Sequence, residues 1–144
     1  MPVVKRSEGR TLQVLQDRVQ VKLPSSQSPT GMAVVLVEVP PEGGTPPHSH
    51  PAAEEGYFVL AGTLHLWVDG GWSELTQGDF AHVPPGAVHA YQNRGTAPVK
   101  FLAWTVGGAM DDFFADVAQN VRAMPRDAAL LAAVLEKHSV HLVG

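Results

Sequence analysis

The chain has 144 residues, of which 44% are hydrophobic, and this is enough for one well-formed core, so we expect a single domain over residues 1–144. The formal net charge is −4, and Arg94 and Lys100 are the only basic residues between Gly31 and Val106, which argues against a nucleic-acid or membrane partner. The chain lacks cysteine, which excludes disulfides and thiolate ligands, and together with the lack of an apolar leader or membrane-spanning run this predicts a cytoplasmic protein.

Short apolar stretches alternate with clusters of proline, glycine and serine from about residue 12 to residue 106. This alternation predicts strands joined by turns. Asp69, Gly70 and Gly71 predict a tight hairpin turn. Many short, evenly spaced strands favour an antiparallel sandwich or barrel over about 12–106. The predicted strands are 19–23, 32–39, 57–60, 63–68, 80–83, 88–92 and 99–106.

The pattern changes to helical after Gly107 and Gly108. Apolar residues recur at helical spacing, and Asp111 and Asp112 stand where negative charge suits the start of a helix. A second helix is predicted from about Asp127 to Lys137, within a C-terminal extension of about 109–140. We expect these helices to cover the open end or the outer face of the barrel. The apolar residues of the first helix are Met110, Phe113, Phe114, Val117 and Val121.

Two histidines, His48 and His50, stand one residue apart in the stretch PPHSHPAAEEGYFVLAG. On a strand, residues two apart point to the same face, so both imidazoles can enter one space. The pair alone is more often a surface feature than a metal site. A third histidine, His89, opens the strand that follows the Pro84-Pro85-Gly86 turn, and it gives the pair a possible partner.

The two segments resemble the paired motifs of the cupin superfamily. The pattern H-x-H-x4-E-x6-G is present, with Glu42 in place of its leading glycine, and G-x5-P-x-G-x2-H-x3-N is complete. The resemblance implies an all-β jelly roll (a double-stranded β-helix) with C-terminal helices, in which three histidines and a glutamate bind one metal ion. The motif residues are His48, His50, Glu55 and Gly62, then Gly78, Pro84, Gly86, His89 and Asn93.

Carried over by position, the metal ligands are His48, His50, Glu55 and His89. Imidazole nitrogens and a carboxylate suit one divalent transition ion, namely iron, manganese, nickel, cobalt, copper or zinc, and leave its identity open. Glu54 is the rival carboxylate, because a three-residue gap after His50 also occurs in the family. The count to Gly62 favours Glu55, which leaves Glu54 as a solvated rim residue.

Three further side chains have open roles. His82 is either a hydrogen-bonded wall residue or lies in or near the pocket. Tyr91 is two residues after His89 and therefore faces the same side of the strand, where it either packs in the core or turns its hydroxyl toward a ligand. His65 alternates with leucines and is expected on the opposite face. His138 and His141 are interpreted as surface residues, Asn93 and Gly86 as turn residues, and Trp67, Trp72 and Trp104 as packing or dimer-interface residues.

More closely, the sequence resembles single-domain bacterial cupins of the quercetin dioxygenase-like group, in the Thr30-Gly31 lead-in, the PPHSH approach and the segment from Gly107 to Phe114. The resemblance implies a metal-dependent dioxygenase that acts on a flavonol or another enolic small molecule, with Glu55 as base and dioxygen as co-substrate. The alternatives are a non-catalytic cupin that binds metal or a small molecule, and a sugar isomerase or epimerase. We also expect a homodimer, in which strand 19–23 is a candidate for exchange between subunits.

Overall fold

The computed structural model describes residues 3–143, which form two β-sheets and two C-terminal helices. The helices are α1 (Met110–Asn120) and α2 (Ala128–Lys137), and a single 3-10 turn spans Ser25–Gln27. The strands are β1 (Arg10–Val14), β2 (Asp17–Leu23), β3 (Met32–Val39), β4 (His48–Ser49), β5 (Glu54–Ala61), β6 (Leu64–Val68), β7 (Gly71–Leu75), β8 (Phe80–Val83), β9 (His89–Gln92), β10 (Val99–Val106) and β11 (His141–Leu142).

One sheet has six strands in the order β1-β2-β3-β10-β5-β8, and its neighbouring strands are antiparallel. Every second residue of β3 is buried, beginning with Ala33, and β10 follows the same alternation from Val99. Valine suits this environment because its branched side chain packs well on a pleated, buried face. The inward residues of these strands therefore form one wall of the core, in which Val39, Val59, Val99 and Phe101 are almost fully buried.

The second sheet has five strands in the order β11-β4-β9-β6-β7. Strands β6 and β7 form a hairpin whose turn includes Asp69 and Gly70, both with positive φ. Aspartate and glycine adopt the left-handed region at low cost, and two consecutive positive φ values match the preferred two-residue hairpin turn. The predicted turn is confirmed, and it sets the register of β6 against β7, while β9 pairs with the other edge of β6.

The two helices cover the open end of the barrel. Phe114 packs against the main core, and Phe113, Phe114 and Val117 line the cavity between the sheets. A carboxylate joins the helices, because Asp116 Oδ2 accepts hydrogen bonds from Lys137 Nζ at 2.9 Å and from His138 Nε2 at 2.6 Å. Of the two positions expected for the helices, the open end and the outer face of the barrel, these contacts favour the open end.

The two-sheet jelly roll with C-terminal helices predicted from the sequence is confirmed, but four strands were not predicted. Strands β1 and β7 are exposed on most of their residues, and β4 and β11 have only two residues each. Strand β2, the candidate for exchange, pairs with β1 and β3 of its own chain. Within residues 3–143, no helix is long and apolar enough to cross a membrane.

Candidate metal centre

Three histidines from distant parts of the chain meet between the sheets. Strand pairing places His48 of β4 directly opposite His89 of β9, and His50 follows at the end of β4. The ring centroids of His48 and His89 are 4.2 Å apart, and those of His50 and His89 are 4.8 Å apart. One ligand nitrogen from each ring lies within 4.8 Å of the others. The predicted convergence of the third imidazole on the HSH pair is therefore confirmed.

Backbone carbonyls orient two of these rings. His48 Nδ1 lies 2.9 Å from the carbonyl oxygen of Pro46, and His89 Nδ1 lies 3.0 Å from that of Ala87. A carbonyl only accepts, so each Nδ1 carries a proton, and in the neutral form of either ring Nε2 is the atom that keeps a lone pair. This is the outer-shell arrangement that fixes imidazole ligands for a metal.

Glu55 completes the cluster from the other sheet. Its Oε1 lies 3.4 Å from His50 Nε2, and its Oε2 lies 3.1 Å from His89 Nε2. Burial raises the pKa of Glu55, but its close contacts and charge interactions with His50 and His89 outweigh this effect and hold the pKa well below its usual range. Glu55 is 5% exposed, so a carboxylate is kept ionised in a nearly dry environment.

The histidines respond to the same environment in different ways. Burial, reinforced by the nearby His89, lowers the pKa of His48 to about 4, which keeps this ring neutral at pH 7. For His50, burial lowers the pKa, but the hydrogen bond and charge of Glu55 outweigh it and the pKa is raised. A neutral imidazole is the form that binds a metal, and His48 is held in that form.

Tyr57 holds Glu55 in place, and the sequence analysis did not identify it. Its hydroxyl donates a hydrogen bond of 2.7 Å to Glu55 Oε2. Burial and the charge of Glu55 raise the pKa of Tyr57 well above its usual value, so the phenol stays protonated and can only donate to the carboxylate. Its position two residues after Glu55 on β5 gives it the same inward parity, which is the signal that could have found it.

A cavity of about 160 Å³ adjoins the cluster. His48, His50 and Glu55 line it, together with apolar side chains of both sheets and of α1. Among the described residues that line it, none is lysine or arginine, whereas three carry carboxyl groups: Asp17, Glu55 and Asp111. The cavity therefore disfavours phosphorylated and other strongly anionic ligands.

The residues of the cluster fit a transition-metal ion. The Nε2 atoms of His50 and His89 are buried and lack a hydrogen bond of good geometry within the described chain. Unpartnered buried polar atoms are costly, and a cation would satisfy both lone pairs at once. The cluster of His48, His50 and His89 is consistent with a bound metal ion, while a ligand role for Glu55 stays a prediction.

Glu54 and His82 lie away from this site. The two side chains are about half exposed and form a pair with 2.8 Å between His82 Nε2 and Glu54 Oε2. Register explains their position, because His82 pairs with Gly56, which has outward parity on β5. Glu54 is thus the expected solvated residue, and His82 does not line the cavity.

Three further predictions concern His65, Asn93 and His138, of which the first two are confirmed and the third is wrong. His65 faces away from the cavity, with its Nε2 3.6 Å from Glu74. Asn93 is buried, and its amide donates to the carbonyls of Val39 and Ala97, which confirms its turn role. The surface assignment of His138 is wrong: its side chain is 13% exposed, because its bond to Asp116 draws it between the helices.

The aromatic and basic side chains of the outer surface also lie outside the cavity. The Arg94 guanidinium carbon stands 4.5 Å from the ring centre of Trp72. Trp104 stacks on Phe80, with ring centroids 5.6 Å apart, and covers Gly56. Trp72 and Trp104 therefore pack on exterior faces, and Arg94 is not available to bind a ligand in the cavity.

A two-sheet jelly roll with three converging histidines next to an apolar cavity defines the cupin class of small β-barrel proteins. The cupin domain model Cupin_2 matches residues 35–105, which contain all three histidines. The chain belongs to the cupin superfamily.

Curated relatives include a quercetin 2,3-dioxygenase and germin-like proteins. The Bacillus subtilis quercetin 2,3-dioxygenase is 28% identical over 113 residues, covering 78% of this chain and 33% of the relative. Germin-like protein 1-1 of Oryza sativa subsp. japonica is 36% identical over 78 residues, covering 51% of this chain and 36% of the relative. The chain thus spans about a third of the length of these relatives.

Solved structures confirm the fold. The polyketide cyclase RemF from Streptomyces resistomycificus matches with a TM-score of 0.65 at 23% identity, over 74% of this chain and 79% of that one. The Cupin_2 domain of an XRE family transcriptional regulator from Enterobacter cloacae matches with a TM-score of 0.56 at 22% identity, over 62% of this chain and 95% of that one. The fold is therefore shared by proteins of quite different kinds, and the site must carry the functional argument.

Proposed function

We propose that this protein is a metal-dependent oxidoreductase of the dioxygenase type that acts on a small enolic or phenolic molecule. The observation that carries the proposal is the cluster of buried His50, His89 and Glu55 with half-buried His48 at the edge of an apolar cavity. The similarity to a quercetin 2,3-dioxygenase over 78% of the chain supports the reaction type. A sugar phosphate is disfavoured as substrate, because the described cavity lining contains no basic side chain.

The chain's own residues have separable roles in this proposal. His48, His50 and His89 hold the ion, with Glu55 as a fourth ligand or as a base beside it. A divalent transition ion held there would supply Lewis acidity and access to redox change. Glu55 is ionised and lies at the cavity wall, so it can accept a hydrogen bond and then the proton of a substrate hydroxyl; because its lowered pKa makes it a weak base, that hydroxyl must itself be acidic. Tyr57 is a positioning residue that keeps Glu55 Oε2 in place.

The size of the cavity bears on the substrate. Its volume of about 160 Å³ is close to that of engineered cavities that hold one benzene ring. A three-ring flavonol would extend beyond this space, whereas a single enolic ring fits inside it. We therefore expect a one-ring substrate with the 3-hydroxy-4-oxo arrangement of a flavonol to react better than the flavonol itself.

The test compares quercetin with maltol, which is a single 3-hydroxy-4-pyranone ring. Protein purified without a histidine tag is analysed for metal, and protein reconstituted with each candidate ion is then assayed for oxygen uptake and carbon monoxide release. We expect about one metal ion per chain, which is lost in His89→Ala, and faster turnover of maltol. Absence of turnover with every ion, together with tight retention of the probe, would instead indicate a non-catalytic binding cupin.

The homodimer is a further proposal, supported by the outer face of the six-stranded sheet. Phe58, Leu60 and Phe80 are 37%, 39% and 55% exposed on this face, and Phe58 pairs directly with Phe80 across β5 and β8. Contiguous exposed aromatic and aliphatic side chains are typical of an interface. A second copy is the natural occupant, because a two-fold contact would bury the same patch on both subunits.

A further inference from the structure

Asp17 is a buried carboxyl group that the proposed mechanism does not use. It is the first residue of β2, and its parity matches Val19 and Val21, so its side chain faces the interior. It is 4% exposed and lines the cavity. A carboxyl group in such an apolar setting is costly to bury unless its oxygens are satisfied.

The hydrogen bonds of Asp17 satisfy only one of its two oxygens. The Tyr91 hydroxyl donates to Asp17 Oδ2, and this uses the only proton that the phenol carries. Asp17 Oδ1 is buried and has no hydrogen-bond partner in residues 3–143. Gln16, the neighbouring amide, donates to the carbonyl of Gly44 at 2.7 Å, and its side chain is also close enough to Asp17 to oppose the rise of the Asp17 pKa. The pair therefore has acceptor capacity left and no donor of its own.

The pair belongs to the same cavity as the histidine cluster but lies at another point on its wall. Tyr91 is two residues beyond His89 on β9, which corresponds to about 7 Å along a strand. The ring centroids of Tyr57 and Tyr91 are 6.5 Å apart in an edge-to-face arrangement. Tyr57, Tyr91 and Phe101 thus fill the space between Glu55 and Asp17 with aromatic surface.

We propose that Asp17, held by Tyr91, is a specificity-determining residue that binds a hydroxyl group of a ring-shaped ligand. The ligand would then be held at two polar points, the histidine cluster and the free acceptor of Asp17, with apolar walls between them. Burial raises the pKa of Asp17 from 3.8 to about 6, against the opposing effect of the Tyr91 and Gln16 side chains, so the group is ionised at pH 8 and accepts strongly. A ligand without a donor at this position leaves the carboxylate unsatisfied.

The test uses phenol and anisole, which share one ring but differ in the ability to donate a hydrogen bond. Both are titrated at pH 8 into the protein as purified, with binding followed by NMR shift changes. Because phenol can donate one hydrogen bond to the charged carboxylate and anisole cannot, we expect phenol to bind about tenfold more tightly. The preference should fall to about one in Asp17→Asn, which places an amide where the acceptor was.

Two controls separate this inference from the proposed function. Chelation, which empties the metal cluster without changing any side chain of the cavity, should leave the phenol preference intact, since the probe needs no metal. A crystal structure of the wild-type protein with phenol should place the phenol oxygen within hydrogen-bond distance of Asp17. This measurement tests the proposed contact even if Asp17→Asn does not fold. Equal affinity for the two probes, absence of binding, or phenol seated only on the histidines would overturn the inference.

Discussion

The raised pKa of Asp17 predicts that this one residue makes the protein less stable as the pH rises from 5 to 8. In the folded state the pKa is about 6, against an ordinary value of 3.8. Between these values the folded chain holds more protons than the unfolded chain, so the free energy of unfolding falls as the pH increases. The contribution is fully present below the unfolded pKa and is lost as the pH passes the folded pKa.

The size of the effect follows from the shift. A rise from 3.8 to about 6 corresponds to roughly 3 kcal/mol over the whole titration. About 1.4 kcal/mol of this is lost between pH 5 and pH 8, where the folded group ionises and the unfolded group is already ionised. Asparagine at this position cannot titrate, so Asp17→Asn should remove this part of the pH dependence and leave the contributions of other groups unchanged.

The assay is urea unfolding of wild type and Asp17→Asn at pH 5 and pH 8, followed by tryptophan fluorescence at one protein concentration. Chelated protein is used, because metal binding adds its own pH dependence. Tyr91→Phe gives a matched comparison: it removes the hydrogen bond that favours ionised Asp17, so the pH-dependent loss should grow. A wild-type advantage over Asp17→Asn that stays constant or increases between pH 5 and pH 8 would refute the reasoning.

Three other changes test the site and the surface. Gly56→Ala should lower the free energy of unfolding by about 1–3 kcal/mol, because its Cβ would stand 2.3 Å from the Trp104 ring. Gly71→Ala is the control in the same urea titration, since its Cβ meets only a carbonyl oxygen at 4.0 Å. Tyr57→Phe should lower turnover of the proposed substrate about tenfold through loss of one hydrogen bond to a charged group and leave metal content unchanged; equal turnover would contradict its positioning role. Phe80→Glu should convert the proposed dimer to monomer in sedimentation velocity, while Trp72→Glu on the other sheet should not, and a wild-type monomer at micromolar concentration would reject the dimer.

The histidine cluster was predictable because its members stand at the motif positions of the cupin resemblance, and local rules agree with that assignment. An i, i+2 pair must share one face of an extended chain, and a turn followed by a strand fixes the direction of His89. Parity also distinguishes Glu55 from Glu54, since adjacent residues of β5 face opposite sides. The same rule, applied to β8, would have placed His82 outside, because Val83 is the buried residue of that strand.

The contacts that the sequence did not predict depend on distant pairings. Asp17 and Tyr91 are 74 residues apart, and only the closure of the two sheets brings them together. Strands β4 and β11 pair with one another, with His141 opposite Ser49. Each has only two residues, which is too short for a visible alternation of apolar and polar side chains. A charged residue at the inward parity of β2 was nevertheless a visible conflict between local pattern and burial, and such conflicts are expected at functional positions.

Acid groups, rather than basic ones, set the chemistry of the cavity. Its described lining combines Asp17, Glu55 and Asp111 with aromatic and aliphatic side chains. Ligands with hydroxyl donors, such as phenols and enols, can donate hydrogen bonds to these carboxylates, while anions are repelled. Under the two proposals, Glu55 would receive the substrate proton next to the histidines, and Asp17 would accept a second hydrogen bond farther along the wall. The specificity of this cupin would therefore reside in where it accepts hydrogen bonds, a property that a fold shared with a cyclase and a transcriptional regulator leaves free to vary.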